Sequence, residues 1–269
     1  MTAPGGGPRW PALVALALAL SASAASAFDL REIQKRGTLR VLAVVSDEET
    51  YFVSHRADLP PGFDVEILQG FAKLHAFKLE VVPVPRWDGL IPLLRQAKGD
   101  LIAGGFTDTE SRRQQIDFTA EVFPTRSVVI TRRPGAVVQT IEQLKARKVG
   151  TIRGTFMEEE LAAAGVRNVD TTIATGELPL ALKTERIEAA VDGLEAALTA
   201  KAKDPDLQCG LFLGRPSSLA YGVRKDDRAL REALNAYISN LRRTSTWSRL
   251  VVKYFGPSSL EILNKARGR

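Results

Sequence analysis

The sequence predicts an α/β protein of two similar lobes with a ligand cleft between them. Three observations lead there. Short apolar, β-branched runs alternate with amphipathic stretches of helical spacing, the pattern of a mainly parallel sheet with helical crossovers. That pattern occurs twice, and turn-like Pro124 and Pro216-Ser217-Ser218 bound the second unit. In each unit one strand ends in a Gly/Thr turn that opens a helix, which is where open α/β sheets bind ligands.

Residues 1–27 stand apart from this pattern. A lone Arg9 precedes WPALVALALAL and then SASAASA, the basic region, apolar stretch and small-residue cleavage site of a signal peptide. Ala25 and Ala27 fit the small-x-small rule, so cleavage is expected to leave Phe28 first. The alternative is a retained anchor helix, for which the apolar run is short. No Cys follows the run to carry a lipid, since Cys209 is the sole cysteine. One cysteine cannot close an intramolecular disulfide, and in LQCGLFL it reads as strand filler. The mature chain is therefore expected to be periplasmic, soluble and held together by its core. Lys and Arg number 37 against 31 Asp and Glu, a net charge of +6 spread without long runs. That excess suits attraction of anions, but without long basic runs it is a poor argument for nucleic acid, which is not expected as a partner.

The first unit runs in order. Leu39 to Val45 is an apolar run between Gly37-Thr38 and Ser46-Asp47, hence a buried strand. Asp64 to Ala76 sets Val65, Leu68, Phe71, Ala72 and His75 at helical spacing. Lys78 to Val84 is a strand. Asp88 is placed to cap a helix reaching about Lys98, with Pro92 tolerated in its first turns. Leu101 to Gly104 is the third strand.

The second unit repeats the scheme. Strands are expected at Ser127–Thr131, Lys148–Ile152, Asn168–Ile173 and Ile187–Val191, with helices at Ile141–Ala146, Phe156–Ala164 and Glu177–Lys183. Three tail helices, Asp227–Arg242, Thr246–Tyr254 and Ser258–Lys265, have no strands of their own and must pack on an existing lobe.

Three clusters could carry function. In GGFTDTESRRQQIDFT (104–119), Thr109 is placed to cap a helix at Glu110. Arg112 offers a planar fork of donors suited to a carboxylate. Gly104 and Gly105 let a ligand approach the backbone closely. The plain alternative is a solvated, basic helix start. In GTIRGTFMEEEL (150–161), Thr155 and Glu158 fit a capping box, and the helix start is a second place for a carboxylate. Asp192 ends the strand IEAAV and could pair with an ammonium or cap the following helix. His75, His55, Trp87 and Trp247 read as structural, and no pattern implies a metal or other cofactor.

Taken together, GFDVEILQGFAKLH (62–75), WDGLIPLLRQAKGDLIAGGFTDTESRRQQIDFT (87–119), KVGTIRGT (148–155) and YGVRKDDRALREALN…YFG (221–256) resemble the family 3 extracellular solute-binding proteins. These are the polar amino-acid receptors of ABC importers. The resemblance implies the type II periplasmic binding protein fold, whose two lobes are joined by crossing strands and close on a ligand by hinge motion. It implies lobe 1 at 28–124 plus 219–269 and lobe 2 at 125–218. By position, Arg112 would clamp an α-carboxylate. Thr107 and the Gly105 backbone, with Gly104 close by, would contact the ammonium side. Thr155 and the Phe156 backbone would complete the carboxylate site. Asp192 resembles the ammonium-binding aspartate but falls one position early. Tyr51 or Phe52 would supply an aromatic wall, and Phe71 stands where the family prefers a smaller aliphatic residue.

The implied function is capture of a small amino acid or related carboxylate and delivery to an ABC permease, by a monomer and without chemistry. Two alternatives share the scaffold. One is a periplasmic enzyme similar to cyclohexadienyl dehydratases, with Glu48, Glu49 or Asp192 assisting. The other is a ligand-sensing module.

Overall fold

The computed structural model describes residues 30–46, 51–54, 56–256 and 259–268. The expected signal peptide, Glu48, Glu49 and His55 lie outside these residues.

The first sheet has strand order Lys78–Val84, Thr38–Val44, Leu101–Ile102, Gly222–Val223 and Asp117–Phe118. Thr38–Val44 runs parallel to both its neighbours, with Leu42 opposite Val82 on one side and Ile102 on the other. Its residues alternate between two cores, as strand geometry requires. Leu39, Val41 and Ala43 face Ile33, Leu68 and Phe71, while Leu42 and Val44 face Leu90, Leu94 and Ile102. Both faces are covered, which is why the run from Leu39 on is apolar apart from Arg40, which pairs with Asp100.

The second sheet has order Leu207–Phe212, Ser127–Arg132, Ala189–Gly193, Val149–Gly150 and Val169–Asp170. Val129, Val149, Ala189 and Val191 pack on Phe156, Met157 and Leu161. Val128, Ile130 and Ala190 pack on the other face against Leu182, Leu194 and Leu198. Each sheet is mixed. Gly222–Val223 is antiparallel to its neighbours in the first, and Ser127–Arg132 to its neighbours in the second. The predicted crossovers account for the parallel halves. The antiparallel strands are contributed where the chain passes between lobes.

That passage is a third sheet, Thr107–Asp108, Ser217–Leu219 and Phe123–Thr125, all antiparallel. Phe123–Thr125 leads directly into Ser127–Arg132, and Ser217–Leu219 returns the chain to Gly222–Val223.

Two helices differ from expectation. The stretch after Trp87 is a 3-10 turn, Trp87–Gly89, and a short helix, Leu90–Arg95, ended by the left-handed Ala97. Asp88 does not cap it, because its carboxylate is taken by Arg86 at 2.6 Å. The helix Phe63–Leu74 begins at Gly62, where a Cβ would lie 2.4 Å from the Phe52 carbonyl oxygen. Phe71 on that helix is fully buried against Tyr237 of Arg228–Arg242, ring centroids 5.7 Å apart. Gly70 beside it makes room for the Tyr237 hydroxyl, so the larger side chain fits. The helix Ser245–Phe255 packs on Phe63–Leu74, whereas Ser259–Ala266 packs on Leu194–Lys203 and Phe123–Thr125. Among the described residues no helix is long and apolar enough to cross a membrane.

Candidate functional site

A cavity of about 640 Å³, counting its mouth, lies between the two main sheets. All nine residues proposed from the sequence line it: Tyr51, Phe52, Gly104, Gly105, Thr107, Arg112, Thr155, Phe156 and Asp192.

The floor on the first-sheet side is the turn after Leu101–Ile102. Gly104 and Gly105 both have left-handed φ, 93° and 78°. Their amides donate to one oxygen of Asp64, at 2.8 and 3.0 Å, and the Tyr221 hydroxyl donates to the other at 3.2 Å. Asp64 is buried at the start of the helix Phe63–Leu74. Burial pushes its carboxyl up to about 6, with the three hydrogen bonds opposing. The glycine amides are thereby occupied. A side chain at Gly105 would lie 2.8 Å from the Phe52 ring.

Arg112 is buried, 5% exposed, on the four-residue helix Glu110–Arg113 capped by Thr109 as expected. It donates to the Thr107 carbonyl at 2.7 Å and, across the cleft, to the Gly154 carbonyl at 3.1 Å. Its guanidinium carbon lies 4.0 Å from the Phe106 ring centroid. Two of its five donors are used in this way. No carboxylate among the described residues forms an ion pair with it; burial lowers its pKa to about 10, with the more distant charges of Glu159 and Asp108 opposing. A buried cation with no carboxylate in direct contact is costly unless something anionic joins it. Arg113 behaves differently: it pairs with Asp108 at the surface, Nε to Oδ1 2.6 Å.

The opposite wall starts at Thr155. It is the N-cap residue of Phe156–Ala163, but the expected capping box does not form. The Thr155 hydroxyl donates to the Ile152 carbonyl at 2.6 Å, and Glu158 instead accepts from the Gly154 amide at 2.7 Å. This tightens the turn and leaves the helix start facing the cavity.

Asp192 does not cap the next helix. Gly193 is the N-cap residue of Leu194–Lys203, and among the described residues Asp192 accepts from the Gly193 amide alone, at 2.8 Å. One turn later comes Glu195, which the sequence reading missed. It lines the cavity at 6% exposure and accepts from the hydroxyl of Thr125 at 2.7 Å. Burial raises both carboxyls, Glu195 to about 7 with Asp192 adding to its shift. Neither forms an ion pair with a described Lys or Arg.

Trp87 packs against the core as expected, and it also reaches the cavity. It lies parallel to Phe106 with centroids 6.4 Å apart, and its indole donates to the Thr175 hydroxyl at 3.3 Å. The Ser46 hydroxyl donates to the Thr175 carbonyl at 3.0 Å, and Ser111 to Glu159 at 2.8 Å. With the Arg112–Gly154 bond, these contacts join residues of the two lobes across the cleft, so the described conformation is closed. Trp247 packs on Phe123 as expected, and Cys209 lies half-buried in Leu207–Phe212. Among the described residues no cluster of three or more metal-ligating side chains occurs.

A model of the bacterial extracellular solute-binding proteins, family 3, matches residues 42–257. The chain belongs to that family. It is 31% identical over 207 residues to the histidine-binding periplasmic protein of Escherichia coli strain K12, covering 72% of this chain and 78% of that one. It is 26% identical over 256 residues to membrane-bound lytic murein transglycosylase F of Desulfosudis oleivorans, covering 90% of this chain but only 56% of that protein. Among solved structures, a mutant of ArgBP from T. maritima superposes with a TM-score of 0.76 at 28% identity, covering 84% of this chain and 98% of that one. The ancestral amino acid-binding protein AncCDT-1, a precursor of cyclohexadienyl dehydratase, gives 0.75 at 26% identity, with coverage of 84% and 98%. The type II binding-protein fold follows.

Proposed function

We propose that this family member is a periplasmic receptor that captures an α-amino acid or related carboxylate by closure of its lobes and delivers it to an ABC permease. The observation that carries the reading is Arg112, a buried guanidinium on the cavity wall with two carbonyl partners and no carboxylate. A ligand α-carboxylate supplies the missing charge through bidentate hydrogen bonds. The Thr155 and Phe156 backbone at the helix start completes that end. Asp192, Thr107 and the Gly105 carbonyl take the ammonium, and Gly104 keeps the floor free of side chain. Tyr51, Phe52 and Trp87 enclose the remainder. Ligand bridges Arg112 and the Gly154–Phe156 turn, so its contacts are complete only when the lobes meet, which is the condition for closure by population shift. The lobes are assigned as 28–124 plus 219–269 and 125–218. The protein acts as a monomer after removal of residues 1–27.

The test is a thermal-shift screen of the purified protein against the amino acids and small carboxylates. At least one α-amino acid should raise the melting temperature in wild type and not in Arg112→Ala. Failure of every amino acid, or an undiminished shift in the variant, contradicts the reading. A second reading, a dehydratase on the same fold, draws on the two cavity carboxyls, Asp192 and Glu195, both pushed up by burial; AncCDT-1 itself is an amino acid-binding protein. Formation of a phenyl product from prephenate or arogenate would establish it; we expect both acids to be recovered intact.

A further inference from the structure

The cavity charges do not balance with a zwitterion alone. Arg112 answers the ligand carboxylate and Asp192 its ammonium, and Glu195 is then left over. Glu195 is not surface decoration. It is nine-tenths buried, lines the cavity, and its hydrogen bonds come from Thr125 Oγ1 and its own amide. Its other oxygen folds back over Gly193, where a Cβ would lie 2.4 Å from Glu195 Oε1, so only glycine permits this pose. The position is thus built by two neighbours, Thr125 from a connecting strand and Gly193 from the helix cap. Without a cation nearby, a carboxylate held in place this way keeps its proton to higher pH instead of carrying an uncompensated charge.

We propose that Glu195 is a specificity-determining residue that receives a second positive charge on the ligand, so that the site selects amino acids with a cationic side chain. The inference rests on the amino-acid-receptor reading above. Charge supports it: with a ligand cation at each of Asp192 and Glu195 both carboxyls ionise, and Arg112 with the two carboxylates is then balanced by a ligand with one carboxylate and two cationic groups. Burial holds Glu195 up to about 7 while no cation is near, and a ligand cation removes that penalty. Tyr51 and Trp87, also on the cavity wall, offer aromatic faces that favour a cation over a neutral amide. Nothing in the lining offers a second described cation for an acidic side chain.

L-arginine and L-citrulline test this directly, because they are nearly the same shape and differ by one charge. Calorimetric titration of the full protein should give arginine at least tenfold tighter binding than citrulline. In Glu195→Gln that ratio should collapse toward one, mainly through weaker arginine binding, while citrulline affinity holds and the melting temperature does not fall. L-lysine against L-glutamine should repeat the pattern. Equal affinity for arginine and citrulline in wild type overturns the proposal. So does an equal loss for both ligands in Glu195→Gln, which would mark the residue as structural. Binding of neutral or acidic amino acids alone sinks this inference and leaves the receptor reading standing. Binding of no amino acid at all removes both.

Discussion

Gly154→Ala should weaken ligand binding far more than it weakens the fold. Gly154 has φ +77°, and a Cβ there would lie 2.6 Å from the Asp88 amide nitrogen and 3.1 Å from its Cα. Those are backbone atoms of the opposite lobe, so they cannot swing aside. Opening the cleft removes the clash, and closing it restores the clash. The left-handed conformation costs an alanine about 1 kcal/mol in either state. The overlap adds roughly 1–3 kcal/mol in the closed state only. Affinity should therefore fall roughly 5- to 150-fold. Gly165→Ala is the control. Its φ of +74° carries the same backbone cost, but the nearest atom to a Cβ is the Lys145 side chain at 3.6 Å, an ordinary contact. Titration calorimetry with an amino acid from the screen, beside melting curves, separates the two effects. Both variants should melt lower, and only Gly154→Ala should bind poorly. Wild-type affinity in Gly154→Ala, or equal loss in both, would refute closure through this contact.

Other outcomes follow from the same geometry. Trp87→Phe removes the indole donor to Thr175 and should cost about 0.5–1.5 kcal/mol of binding, roughly two- to tenfold. Thr175→Val should match it, and the double variant should lose no more than either single, since both remove one bond. Asp64 and Glu195 sit near 6 and 7, so the folded chain holds their protons more tightly than the unfolded chain does. Their stabilising contribution is full below the ordinary carboxylate range and is lost as pH rises through 6 and 7. Without ligand, the protein should melt lower at pH 8 than at pH 5, with each group contributing on the order of 2 kcal/mol. Asp64→Asn should keep the fold and flatten that slope; stability that climbs steadily to pH 8 would contradict the assignment.

Most of the fold was legible because its strands and helices are long enough to show a period. Thr38–Val44, Lys78–Val84 and Phe63–Leu74 have cores on defined faces, and their residues repeat accordingly. Thr107–Asp108 and Gly222–Val223 have two residues each, too few for any alternation, and Ser127–Arg132 shows as a strand without its local sequence revealing its antiparallel direction. The site divides in the same way. Arg112 stood out because a cation between apolar runs needs a reason. Asp64, Glu195 and Trp87 did not, because each sits among helical or apolar residues where local spacing offers a sufficient account. Only the fold brings Asp64 to the Gly104–Gly105 amides, or Trp87 to Thr175 some 88 positions away. The capping box at Thr155 was a reasonable local reading that lost to a tighter turn, in which Glu158 prefers the amide of Gly154.

The central claim is that the guanidinium of Arg112 binds a ligand carboxylate, and it can be measured by changing the ligand rather than the protein. An amino acid that binds in the screen is titrated against wild type beside its α-carboxamide, which keeps the shape and removes the charge. Loss of a charged partner for a buried cation costs about 3 kcal/mol, so the amide should bind at least 100-fold more weakly. In Arg112→Ala the two forms should bind with similar, weak affinity. Equal affinity of acid and amide for the wild-type protein would contradict the account.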